Sequence, residues 1–110
     1  MAPTDKAQEE LHPLVDIDRV IHAPARLMML TYLYVVEHAD FVFLMRQTGL
    51  TWGNLSAHIG KLEEAGYVEV EKKFIGKKPH SIARLTSAGR GAFKAYKQSM
   101  QQVLNDLPDE

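Results

Sequence analysis

Asn54, Ser56, His58 and Lys61 fall within eight residues of the chain, and Lys72, Lys73, Lys77, Lys78, His80 and Arg84 fall within thirteen a little further on. These residue types suit one chemistry. An amide such as Asn54 pairs two ways with the edge of adenine, hydroxyl and imidazole groups reach bases or phosphates, and lysine ammonium groups meet phosphate oxygens as point charges. The second cluster has no acidic residue between Lys72 and Arg84, so it makes the local cationic field that a nucleic-acid backbone requires. Each cluster also has a bland reading: an amphipathic helix with an ordinary polar face, and a lysine-rich hairpin that keeps the protein dissolved.

The whole chain is nearly neutral, with a formal net charge of −1 over 110 residues. Its distribution is uneven. Residues 1–71 hold five basic and eleven acidic side chains, residues 72–105 hold eight basic and none acidic, and residues 106–110 add three acidic ones. A binding surface needs a positive patch and not a positive whole, but charge alone does not separate DNA contact from solubility.

Other chemistries find little support. The five histidines, His12, His22, His38, His58 and His80, are scattered. There is no Gly-rich phosphate loop, no pair of metal ligands at helical spacing, and no nucleophile with a histidine and an acid close by. The absence of cysteine removes disulfides, thiolate zinc sites, cysteine nucleophiles and thiol-based sensing together, and suits a reducing cytoplasm. No enzyme, cofactor or metal site is expected. The first residues lack a basic and then apolar leader. The longest apolar run, near residues 27–36, is interrupted by Thr31 and two tyrosines and is too short to span a membrane. A cytoplasmic protein without membrane contact is expected.

The two clusters must be positioned by regular elements. Pro24 suits the first turn of a helix, and Leu27, Leu30, Leu33 and Tyr34 continue at helical spacing, which predicts a helix over about 24–37. Asp40 is a good N-cap for a second helix carrying Phe41, Leu44 and Met45, and Gly49 ends it. Thr51 caps a third helix, over about 51–65, whose apolar stripe is Trp52, Leu55, Ile59 and Leu62 before Ala65 and Gly66 close it. The period then changes. Tyr67, Val68, Val70, Phe74 and Ile75 read as a strand, residues 76–79 as a turn and residues 80–85 as the returning strand. Thr86 or Ser87 starts a last helix running through Phe93, Tyr96, Met100 and Val103 towards Leu107. Residues 16–21 read as one or two helical turns around Ile17, Val20 and Ile21. This order predicts an α+β, mostly helical winged helix-turn-helix: a three-helix core, a two-stranded β-wing and a long C-terminal helix. The partition is an N-terminal arm (1–16), flexible or partly helical, a DNA-binding domain (17–85) and a C-terminal helix with an acidic tail (86–110).

Two helices joined by a short Gly-containing turn form the helix-turn-helix unit, whose second helix buries one face and offers the other to the major groove. Steps of about 100° per residue place Gly53, Asn54, Ala57, Gly60 and Lys61 opposite the apolar stripe, with Ser56 and His58 on the flanks. That face is small and polar, as close approach to DNA demands. Gly53 and Gly60 each cost a solvent-facing helix roughly 1 kcal/mol relative to alanine, and close backbone approach would explain them.

The block from Leu50 through Val68, with residues 76–79 and the run Leu85-Thr-Ser-Ala-Gly-Arg90, resembles the winged-helix regulators related to the MarR and ArsR groups, in particular their compact single-domain members. The resemblance covers about residues 15–100 and is most specific around 54–66. It implies a winged-helix fold, double-stranded DNA as ligand and dimerisation through the terminal helices. It carries the recognition-helix positions to Thr51, Trp52, Asn54, Ser56, Ala57, His58 and Lys61, and the wing to residues 72–84. Many relatives place a basic or polar residue where this chain has Ala57, so base readout there is either weaker or rests on neighbours. Trp52 reads as core or helix-start packing and not as a base-stacking residue.

Phe93, Tyr96, Met100, Val103 and Leu107 follow spacings of three and four residues, a heptad seam. Packing on the chain's own first helix accounts for at least Phe93, whereas the stretch from Met100 to Leu107 extends past what so small a domain must cover. A homodimer is therefore expected, with recognition helices about 34 Å apart on a near-palindrome. No effector is identifiable; an effector site would lie between the DNA-binding core and the dimer helices, as the resemblance allows. The rival class is a winged-helix module that binds protein and not DNA. Salt separates the two, because counterion release makes DNA binding weaken steeply as salt rises.

Overall fold

The computed structural model describes residues 16–108, and the expected arm over residues 1–16 lies outside them apart from Asp16. The order is α1 (Pro24–Val36), β1 (His38–Asp40), α2 (Phe41–Thr48), α3 (Trp52–Glu64), β2 (Val68–Ile75), β3 (Lys78–Leu85) and α4 (Ser87–Asn105). Every expected helix from residue 24 onwards and both wing strands are present. Residues 16–21 form turns and not helix. The Asp18 carboxylate accepts the N–H groups of Val20 at 2.9 Å and Ile21 at 3.2 Å, a local bond that competes with helical backbone pairing. Pro24 holds Ala23 extended, at φ −147° and ψ 128°, as the residue before proline prefers. Ile17 and Ile21 still reach the core.

β1 was not expected. It follows Glu37, a non-glycine residue at φ 71° whose N–H caps the Leu33 carbonyl and whose own carbonyl accepts from Leu85 N at 2.9 Å. The three residues of β1 pair with Ile82, Ala83 and Arg84, so the wing belongs to a three-stranded antiparallel sheet in the order β1-β3-β2. Its turn is also tighter than expected. Only Gly76 and Lys77 lie between the strands, since Ile75 pairs with Lys78. Gly76 takes φ 65°, the glycine-first arrangement of a type II′ hairpin. Pro79 fits inside β3 for two reasons. The pair next to a two-residue loop closure is a non-hydrogen-bonded one, so the Phe74–Pro79 pair loses no ladder bond to proline. β1 also stops at Ile82, which leaves the other edge of β3 open there.

The core draws Leu30 and Leu33 from α1, Leu44 from α2, Leu55 and Leu62 from α3 and Val68 from β2, all fully buried. Thr86 caps α4 by accepting from Gly89 N at 2.9 Å. Gly89 has no substitute, because a Cβ there would sit 2.2 Å from the Tyr67 carbonyl oxygen. Beyond it Phe93 packs on Tyr34 with ring centroids 5.3 Å apart, and Tyr96 is buried. The far end of α4 is bare: Leu104 is 60% and Leu107 58% exposed, and the helix ends at Asn105, short of Leu107. No helix among the described residues is long and apolar enough to cross a membrane.

Candidate nucleic-acid interface

α2 and α3 are set by their caps. Asp40 Oδ1 accepts from Val42 N at 2.7 Å to start α2, and Gly49, at φ 72°, ends it in the left-handed conformation with its N–H on Met45 O. Thr51 Oγ1 accepts from Asn54 N at 3.2 Å to start α3. Leu55, Ile59 and Leu62 are buried beneath α3. On the opposite face Gly53, Asn54, Ala57 and Lys61 are exposed and Gly60 is half-buried. A Cβ added at Gly53 or Gly60 meets nothing within 4 Å, so nothing inside the described protein requires a glycine at either position.

The flanking positions divide. Ser56 is half-buried, and so is His58, whose Nδ1 lies 3.1 Å from Arg26 Nη1. A guanidinium only donates, so Nδ1 accepts and the ring proton sits on Nε2. Arg26 also donates through Nε to the Val20 carbonyl at 2.5 Å, tying α3 to the segment before α1. Trp52 is 52% exposed, yet its ring centroid lies 5.4 Å from that of Phe41: it packs at the helix start and still presents a free side.

The wing cations are not equivalent. Glu71 lies 3.4 Å from Lys73 and 3.8 Å from Arg84, exposed pairs worth roughly 0–1 kcal/mol that a phosphate can displace. Lys72, Lys77 and Lys78 make no ion pair among the described residues. His80 Nδ1 donates to Asp40 Oδ2 at 2.5 Å, so the carboxylate that caps α2 also clamps β3. Neither this clamp nor the Arg26–His58 contact was visible in the sequence, since partners 40 and 32 residues apart leave no local pattern. A cleft of about 430 Å³ brings the start of α3 and the wing together, with Phe41 and Trp52 on one side and Lys72, Lys78 and Pro79 on the other. The start of α3, through Trp52, and the cationic hairpin, through Lys72 and Lys78, therefore meet at one cleft.

A second brace holds this arrangement from below. The Tyr67 hydroxyl donates to Asp18 Oδ2. That bond, with burial and the carboxylate's charge behind it, pushes the Tyr67 pKa up to about 12. The Tyr96 hydroxyl lies 2.8 Å from His22 Nδ1, and burial raises its pKa as well.

Residues 25–104 match the family described as the winged helix DNA-binding domain. The chain belongs to that family. It is a class of DNA-binding regulators and not of enzymes, in agreement with the expectation from sequence. An uncharacterized protein of Methanocaldococcus jannaschii is 35% identical over 89 residues, which cover 81% of this chain and 97% of that one. The solved transcriptional regulator homologue protein from Pyrococcus horikoshii OT3 is 30% identical, with a TM-score of 0.80 over 90% of this chain and 99% of that one. AbfR, solved in its overoxidized form bound to DNA, shares the fold at 19% identity and a TM-score of 0.63, over 94% of this winged helix chain and 68% of AbfR.

Proposed function

We propose that this winged helix protein regulates transcription by reading duplex DNA as a homodimer, with α3 in the major groove and the wing on the flanking backbone or minor groove. The observation that carries the proposal is the meeting of the start of α3 and the wing at one cleft lined by Trp52, Lys72 and Lys78, with the exposed Gly53, Asn54 and Ala57 following Trp52 along the helix. Asn54 is the base reader, the best placed of the polar groups to pair with adenine. Thr51, Trp52, Ser56, Ala57 and His58 line the approach, with His58 offering its Nε2–H. Lys61, Lys72, Lys77 and Lys78 neutralise phosphates, while Lys73 and Arg84 contribute once released from Glu71. His80 acts through its clamp on Asp40, setting the angle of the wing.

In the same proposal the dimer forms through the bare end of α4. Phe93 and Tyr96 are occupied within the protomer and Met100 packs against the same core, which leaves Val103 and Leu107 of the expected seam, joined by Leu104. A helix whose last turn carries the exposed Leu104, with Leu107 exposed just beyond its end, gains by pairing with its twofold mate. The work of the protein is then cytoplasmic.

Selection of bound sequences from random duplexes tests the reading role. Wild-type protein is expected to enrich a near-palindrome. Asn54→Ala is expected to lower affinity for that site by roughly 1–3 kcal/mol while binding to unrelated duplexes stays close to wild type. Equal losses on every duplex would remove Asn54 from base readout.

A further inference from the structure

Phe74 is 75% exposed and Ile75 59% exposed at the very tip of the hairpin, where Ile75 pairs with Lys78 and Phe74 with Pro79. Leaving a phenylalanine in water forgoes roughly 1.5–3 kcal/mol of burial, and a hairpin that serves only solubility needs no aromatic ring there. The tip also stands clear of the body. β1 supports β3 only as far as Ile82 and the His80–Asp40 bond holds the hairpin just beyond it, so Phe74, Ile75, Lys78 and Pro79 lie past the last support from β1.

The direction of the ring follows from strand alternation. Phe74 shares its face of β2 with Val68, which is buried, with Val70, which is half-buried, and with Lys72. Lys72 and Pro79, the cross-strand neighbour of Phe74, line the cleft that Trp52 faces from the start of α3. Phe74 therefore projects from the side of the wing that turns toward the helix proposed to enter the major groove. Its surroundings select the occupant. Lys72, Lys73, Lys77 and Lys78 surround it, and no acidic residue occurs from Lys72 through Asn105. Such a setting repels a second copy of the same tip and attracts a polyanion.

We infer that Phe74 is a wedge: resting on the DNA-binding reading above, it enters the minor groove beside the α3 site and opens one base step on each flank. The minor groove is only about 6 Å wide, too narrow for a helix but passable to one ring carried on a hairpin tip. Apolar side chains inserted there unstack a step and bend the duplex toward the major groove, while the neighbouring lysines hold the phosphates on either side. The consequence is specificity without hydrogen bonds. Pyrimidine–purine steps, which unstack most easily, are preferred at the wedge position.

The test uses the full chain and the duplex recovered by selection, with 2-aminopurine placed at successive flank positions and a donor–acceptor dye pair at the two ends. Wild-type protein brightens 2-aminopurine at one step per flank and shortens the end-to-end distance. Because Phe74 is exposed, Phe74→Ala folds normally. It abolishes both signals and weakens binding by roughly tenfold or more, the scale of a missing base–aromatic stack, while the salt dependence of binding persists. Phe74→Leu restores part of the bend. Salt-dependent binding by wild type with no unstacked flank step, or signals unchanged in Phe74→Ala, overturns the wedge and leaves the regulator reading standing. Phe74→Ala that instead halves the mass in solution overturns it in favour of a contact between copies. Failure of the wild type to bind duplex at any salt defeats both.

Discussion

Gly53 and Gly60 lie seven residues apart on the exposed side of α3, and neither is needed by any contact within the described protein. An alanine at each would favour the helix by about 1 kcal/mol, and in the proposed complex the close approach of DNA to the backbone accounts for their presence. Gly53→Ala is therefore expected to stabilise the fold by up to ~1 kcal/mol in denaturant unfolding and to weaken duplex binding several-fold in a parallel titration. Unchanged or improved DNA affinity in that variant would remove the close-approach explanation. At this scale the sequence was informative where helical spacing decides the face, as for Asn54, Lys61 and the buried Leu55 and Ile59. It was silent on partners brought from elsewhere: His58 meets Arg26, and His80 meets Asp40.

Between elements, what the sequence concealed were features that only tertiary pairing creates. The three residues of β1, His38, Ala39 and Asp40, are too few to show alternation and become a strand only against β3. Lys78 and Pro79 read as a turn because proline usually leaves the ladder, yet they sit in β3 at a position that needs no proline N–H. The seam of α4 is periodic throughout, and although packing on α1 accounts for Phe93 from sequence, periodicity does not reveal that Tyr96 and Met100 also serve the protomer's own core. The spacing of Ile17, Val20 and Ile21 likewise predicts helical turns before α1, whereas Asp18 ties that segment to Tyr67. That tie has a pH signature. Tyr67 titrates at about 12 in the folded protein against an ordinary 10.0. The folded state thus holds the phenol proton more tightly, and the resulting stability is complete below pH about 10 and lost as pH rises through about 12. Other groups, lysines among them, titrate in the same range, so the informative quantity is the difference between wild type and Tyr67→Phe. The variant is expected to be less stable at neutral pH and to show a shallower loss of unfolding free energy across that window. Parallel alkaline profiles would show that the Asp18 bond contributes nothing to the fold.

Taken as a whole, the molecule separates its charge: residues 1–71 are net acidic, residues 72–105, which carry most of the hairpin and the last helix, hold only basic charges, and residues 106–110 are acidic. The near-zero total hides this, and the placement of Lys72 and Lys78 at the α3–wing cleft gives the separation a use. A twofold pair joined at the ends of α4 would set two such clefts on neighbouring turns of one duplex face. The central claim is that phosphate contacts by the wing and α3 drive association, and titration of a dye-labelled selected duplex with the full chain at salt concentrations from about 50 to 200 mM tests it most directly. The account predicts that log affinity falls linearly with log salt. In the Lys77→Ala, Lys78→Ala double variant that slope becomes shallower by about 0.9 for each phosphate no longer neutralised. A flat salt response in the wild type, or identical slopes in the two proteins, would contradict it.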